Sequence, residues 1–202
     1  MKRSGRVLDR ENAAGILHMM RPPGSACTDI FELVNDNFPG RDRLTVLEIG
    51  SYAGESARLF LETGKVGKIV CIDPWVQYKD ISIPVTNFRS AAEAENAEKA
   101  FDRIFSGDGR VVKVKDYSEN VSFLFADHAF DLVYIDGNHQ AENVRKDLEN
   151  YLVKVKPGGI MSGHDYEPKP GLAGLIREVD AFFGRKPDRV LADFSWFYRI
   201  PE

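Results

Sequence analysis

Long apolar runs are missing from this sequence. No stretch approaches the roughly 20 consecutive apolar residues that span a bilayer. Met1-Lys2-Arg3 is followed by no apolar segment, so neither a membrane span nor a secretory signal is expected. Cysteine is scarce: Cys27 and Cys71 are the only two in 202 residues, and Cys71 sits inside the apolar run Ile69-Val70-Cys71-Ile72. Free thiols in a reducing compartment fit this better than a disulfide framework, so the expected location is cytoplasmic. Excess positive charge is also missing. Lys and Arg number 27 against 31 Asp and Glu, a net charge of −4. Lys2, Arg3, Arg6 and Arg10 read as a solvated terminus, and no basic stripe of the kind that tracks a phosphate backbone is present. No nucleic-acid or membrane partner is therefore expected.

What is present is an alternation of short apolar runs and amphipathic segments. The runs Leu44–Ile49, Lys68–Ile72, Arg110–Val114, Leu132–Ile135 and Gly159–Ser162 read as strands. Between them, Gly54–Thr63, Arg89–Phe105, His139–Val153 and Gly171–Phe183 carry apolar residues at helical spacing, such as Val144, Leu148 and Leu152. Near-continuous apolar strands separated by helices imply parallel βαβ units with helices on both faces. Two further strands, Arg189–Ala192 and Trp196–Ile200, have only a tight turn between them and should form an antiparallel hairpin. The expected fold class is α/β, a doubly wound and mostly parallel sheet with its last strand antiparallel. Residues 1–43 read as an N-terminal helical cap, with one helix marked by Ala13, Ile16, Leu17 and Met20 and another ending at Asn37. The main domain is 44–202.

Ligands in such sheets bind beyond the carboxyl ends of the strands. After the first strand come Glu48, Gly50, Ser51, Tyr52 and Gly54, with a helix next. A dinucleotide loop needs a middle glycine to let the pyrophosphate approach, and Tyr52 stands there instead. This argues against NAD or FAD and against a dehydrogenase. Glu48, a carboxylate near the strand end, disfavours a phosphate and suits an amine or a sulfonium. The second strand ends in Asp73, 23 positions after Gly50, where a carboxylate can accept two hydrogen bonds from a ribose diol. Trp75 is open to two readings, beside an adenine or in the core. Asp116 and Ser118 follow the third strand, and either can meet an adenine amino group, although Ser118 equally suits a helix cap. Together these residues point to a ligand containing adenosine.

Four stretches, Leu47–Ser56, Ile69–Trp75, Phe130–Gln140 and Lys156–Tyr166, resemble class I methyltransferases dependent on S-adenosylmethionine. The last two are similar to the macrocin-type small-molecule O-methyltransferases. The resemblance implies a seven-stranded sheet. It implies that Glu48, Gly50, Ser51 and Gly54 surround the methionine part of the cofactor, with Tyr52 in the same loop. Asp73 would hold the ribose, Asp116 and Ser118 the adenine, and Asp136 would face the transferring methyl group. The implied acceptor is a small molecule with a hydroxyl, and self-association into a homo-oligomer is compatible with the sequence. A non-catalytic or protein-modifying domain on the same fold is the alternative.

The catalytic expectation rests on two neighbouring strand ends. Asp136 closes the fourth strand and His164-Asp165 the fifth, where macrocin-type relatives carry two acids. Two carboxylates with an imidazole can hold Mg²⁺ or Mn²⁺. Asp136, His164 and Asp165 are the expected ligands, and His139 is the expected base beside Asp136. A metal-free version, with an imidazole as general base, stays open.

Overall fold

The computed structural model describes residues 29–78 and 88–202. The first helix expected in the cap, Cys27 and most of the segment Val76–Arg89 lie outside the described residues. Seven strands form one sheet in the order β3-β2-β1-β4-β5-β7-β6. They are β1 (Leu44–Ile49), β2 (Val66–Ile72), β3 (Val111–Val114), β4 (Phe130–Ile135), β5 (Val155–Gly163), β6 (Arg189–Val190) and β7 (Trp196–Arg199). Strands β1 to β5 pair in parallel. The last strand, β7, runs antiparallel to both β5 and β6, so the expected hairpin forms and its second strand inserts beside β5. A tight turn makes this possible: the Leu191 N–H donates to Ser195 O at 2.7 Å and the Phe194 N–H to Leu191 O at 3.0 Å.

Alternation along each strand sends side chains to opposite faces. Val46, Ile69, Leu132 and Ile160 pack with α1 (Ile30–Asn37), α2 (Glu55–Glu62) and α3 (Ala91–Ile104). Leu47, Val70, Val133 and Met161 pack with α4 (Ser118–Val121), α5 (Ala141–Tyr151) and α6 (Ala173–Phe183). Each fully buried Leu, Ile or Val contributes about 1.5–3 kcal/mol. That covering explains why the strands read as unbroken apolar runs. Strand β5 starts at Val155, four residues earlier than expected. Pro157 and Gly158 look like a turn in sequence, but Val155 pairs with Phe130 before a register shift lets the main ladder resume at Ile160.

Helix α1 is tied to the far end of the chain. The Asp29 N–H donates to Asp193 Oδ2 and the Asp193 N–H donates to Asp29 Oδ2, each at 3.0 Å. The β6–β7 turn also packs behind the end of β5, since the Tyr166 N–H donates to Phe194 O at 3.0 Å and Trp196 Nε1–H to His164 O at 3.2 Å. No helix among the described residues is long and apolar enough to cross a membrane.

Candidate active site

The sheet order reverses between β1 and β4, and the residue after each strand extends the ladder by one bond. The His164 N–H donates to Ile135 O at 3.0 Å, Asp136 to Ile49 O at 2.8 Å, Gly50 to Ile72 O at 2.8 Å and Asp73 to Val114 O at 3.2 Å. Four residues singled out from sequence thus stand in one row along the carboxyl edge, where open α/β sheets bind ligands.

Gly50 has φ +88, and a Cβ there would lie 2.1 Å from Asp136 O. Gly54, at φ +92, would drive a Cβ to 2.5 Å from the Phe105 ring. Sequence reasoning assigns these glycines to close approach by a ligand. The structure gives both a packing reason that holds without one, β1 against β4 and the loop against α3. The loop is fastened by Asp73, whose Oδ1 accepts the Trp75 N–H at 2.7 Å and whose Oδ2 accepts the Tyr52 N–H at 2.9 Å. Each carboxylate oxygen keeps a further lone pair for a diol. Burial raises the Asp73 pKa against those two N–H donors. Tyr52, Trp75 and Asp165 hold φ of +45, +47 and +61, so the loops after β1, β2 and β5 carry left-handed residues other than glycine. Such conformations cost energy and cluster at functional edges.

Glu48 lies wholly buried beneath the loop rather than open at the strand end. Its Oε1 accepts the Ser56 hydroxyl. Its Oε2, and the Ser51 Oγ above the same strand end, have no hydrogen-bond partner among the described residues. Burial pushes Glu48 up to about 7, against the pull of the Ser56 hydroxyl. Orphaned buried oxygens at this spot fit a ligand with a cationic or N–H-bearing end.

Trp75 resolves to the core. It is 3% exposed, its ring meets Phe101 edge-on at 5.2 Å, and its Nε1–H donates to Tyr52 O at 2.7 Å. Of the two readings open from sequence, this is the core one, with the indole packed between α3 and the loop. Asp116 Oδ1 accepts the Tyr117 N–H at 2.7 Å and Asn120 Nδ2–H at 2.8 Å, shaping the turn into α4. Ser118 is the first residue of α4, not its cap, and its hydroxyl donates to Asp147 Oδ1 at 2.5 Å. Sequence reasoning missed Asp147, a buried acid whose pKa burial pushes up to about 7. The signal was an acid beside Leu148 on the apolar stripe of α5.

At the other end of the row, Asp136, His139 and Asp165 each offer a ligand atom, and these lie within 4.8 Å of one another. His139 precedes α5 rather than opening it, in a loop shaped by Asn138 Oδ1 accepting the Gln140 N–H at 2.9 Å. Its Nε2 is 3.5 Å from Asp136 Oδ1 and 3.3 Å from Asp165 Oδ2. Both ring nitrogens are buried without a hydrogen bond among the described residues. His164, the imidazole expected in this set, is not part of it. Its Nδ1 flanks the set from outside, 3.3 Å from Asp165 Oδ1 and 3.8 Å from Asp136 Oδ1. Burial disfavours charge on His164, but Asp136 and Asp165 outweigh it and hold its pKa up to about 9. Asp131, at the opposite end of β4 from Asp136, does not belong here and takes Lys156 Nζ at 2.9 Å.

Residues 47–166, more than half of the chain, match the family model described as a methyltransferase domain. An uncharacterized protein of Acanthamoeba polyphaga mimivirus is 28% identical over 131 residues, 63% of this chain and 53% of its own length. The chain thus spans about half of that relative. Among solved structures, the O-methyltransferase NovP superposes with a TM-score of 0.61 at 18% identity, covering 86% of this chain and 78% of NovP. The Podospora anserina methyltransferase PaMTH1, solved with S-adenosylhomocysteine bound, superposes with a TM-score of 0.61 at 16% identity, covering 96% and 88%. At these identities the likeness is one of fold. The family match and the shared fold converge on one assignment: the chain belongs to the class I, S-adenosylmethionine-dependent methyltransferases.

Proposed function

We propose that this protein moves a methyl group from S-adenosylmethionine to a hydroxyl of a small molecule, with a divalent cation held by Asp136, His139 and Asp165. The observation that carries the reading is the buried His139 ring, unbonded at both nitrogens and set between two carboxylates at the edge where β4 meets β5. Two carboxylates and one imidazole suit Mg²⁺ or Mn²⁺. The hydroxyl acceptor is supported by the O-methyl transfer named for NovP.

When bound, the cofactor supplies an electrophilic methyl on a sulfonium, and the cation lowers the pKa of the acceptor hydroxyl. The protein's own part is alignment. Asp73 takes the ribose hydroxyls on its remaining lone pairs. The loop from Gly50 to Gly54 lies between Asp73 and Asp136, which sets the methionine part beside the acceptor end. Glu48 Oε2 offers a hydrogen-bond acceptor under that loop. The acceptor's hydroxyl proton leaves toward the Asp136–His139–Asp165 set. A second reading keeps His139 as the proton acceptor at Nε2 without a cation, because that nitrogen lies between the Asp136 and Asp165 carboxylates.

The test is a turnover screen with S-adenosylmethionine across phenols, sugars and amino sugars, run with Mg²⁺, with Mn²⁺ and after chelation. Methyl transfer to a hydroxyl that needs the cation is the expected result. Transfer that survives chelation favours the second reading, and transfer only to protein side chains overturns the small-molecule acceptor.

A further inference from the structure

The cofactor-binding edge ends at β3, and there the hydrogen bonds have a direction. The Ser118 hydroxyl donates to Asp147 Oδ1 at 2.5 Å, and the Tyr151 hydroxyl donates to the Ser118 carbonyl at 2.8 Å. Asp147 and Tyr151 stand one turn apart on α5, so both the side chain and the backbone of Ser118 are held by that helix. Asp147 is 4% exposed, and among the described residues Ser118 is its one hydrogen-bond donor. The mechanism above makes no use of it.

We propose that Asp147 is a positioning residue for base recognition: by taking the Ser118 proton it leaves Ser118 Oγ an acceptor, so this end of the site selects a 6-amino purine over a 6-oxo purine. The inference rests on the cofactor reading above. A serine hydroxyl has one proton and two lone pairs. With the proton committed to a carboxylate, Oγ meets a ligand only through lone pairs. Adenine presents its exocyclic N–H₂ there. A 6-oxo purine presents a carbonyl oxygen there, which meets the lone pairs of Oγ and no donor.

Position supports the same assignment. The Asp73 N–H bonds to Val114 O, so the ribose-holding residue lies beside the end of β3, and Ser118 follows four residues later. Neighbouring strands are about 4.8 Å apart, so a nucleoside crossing from β2 reaches β3 within roughly two spacings. The Tyr78 ring lies 5.9 Å from Tyr117.

The experiment is a calorimetric titration with S-adenosylhomocysteine and with its 6-oxo analogue, S-inosylhomocysteine. It is run at pH 8.5, above the value near 7 to which burial raises Asp147. The parent protein should prefer the 6-amino ligand on the order of 10- to 100-fold, the worth of a hydrogen bond lost with two acceptor oxygens left facing each other. Asp147→Leu and Ser118→Ala should bring the two ligands within about 3-fold of each other. Asp147→Asn, which keeps an acceptor oxygen, should retain the preference. A purely structural role would weaken both ligands equally and leave their ratio unchanged. An unchanged ratio in Ser118→Ala or in folded Asp147→Leu overturns the proposal. Tight but equal binding by the parent removes only the role of Asp147, whereas no binding of S-adenosylhomocysteine removes the cofactor reading itself.

Discussion

His139 Nε2 lies 3.3 Å from Asp165 Oδ2, across the gap between the ends of β4 and β5. The sheet brings these residues together from 26 positions apart in the chain. If the set holds a cation and the acceptor, His139→Ala removes catalysis without touching the cofactor. The expected loss in kcat is on the order of 10²- to 10⁴-fold. Affinity for S-adenosylhomocysteine should stay within about 2-fold, because His139 makes no contact proposed for it. Steady-state kinetics on a true acceptor, paired with ligand titration, separates the two effects.

Asp73 fastens the loops after β1 and β2 and is assigned the ribose. Asp73→Asn keeps the size of the side chain but removes its charge and one acceptor oxygen. Cofactor affinity should fall by about 10- to 100-fold. Near-UV circular dichroism should show the tertiary packing retained. Parent-like affinity would mean that the ribose is held elsewhere.

Gly50 predicts a stability defect. A methyl group at φ +88, 2.1 Å from Asp136 O, forces β1 and β4 apart. Gly50→Ala should cost on the order of 3 kcal/mol or more, from the left-handed backbone and the overlap together. Urea unfolding in the absence of cofactor measures it. A parent-like midpoint would return the glycine to a purely ligand-facing role.

Glu48 predicts a pH dependence. Burial raises its pKa from 4.5 to about 7 in the folded protein. A raised acid favours the folded state while protonated. Its contribution is complete below about 4.5 and is lost as pH rises through about 7. In Glu48→Gln that dependence disappears. Relative to the parent, the variant should gain about 2–3 kcal/mol of stability between pH 5 and pH 8, while binding S-adenosylmethionine more weakly. Urea melts at the two pH values, without cofactor, check the first part. A stability difference that does not change with pH would contradict it.

Much of the fold is legible in the sequence because each βα unit is local. Leu44–Ile49 reads as an unbroken apolar run for the same reason that it is buried on both faces, and its observed bounds coincide with the expected ones. The hairpin that ends the sheet was legible from the short turn at Asp193-Phe194-Ser195. The insertion of β7 beside β5 depends on pairing across 30 residues and more, and no local pattern encodes that order. At the site, Asp73 and Asp136 were legible because strand ends are legible. The approach of His139 to both carboxylates was not. The Asp165 carboxylate meets both rings, His164 Nδ1 at 3.3 Å through Oδ1 and His139 Nε2 at 3.3 Å through Oδ2, and no sequence pattern shows that a residue 26 positions away shares it. For Trp75 the sequence leaves two directions open, because a residue after a strand end can point outward or back into the core, and here, with φ +47, the ring packs in the core.

The central claim is that this edge binds S-adenosylmethionine or its demethylated product. Isothermal titration of the parent protein with S-adenosylhomocysteine, beside an identical titration with NADH, tests it most directly. The account predicts one saturable site for S-adenosylhomocysteine, weakened in Asp73→Asn, and no heat of binding for NADH. Saturable binding of NADH with none for S-adenosylhomocysteine would contradict it.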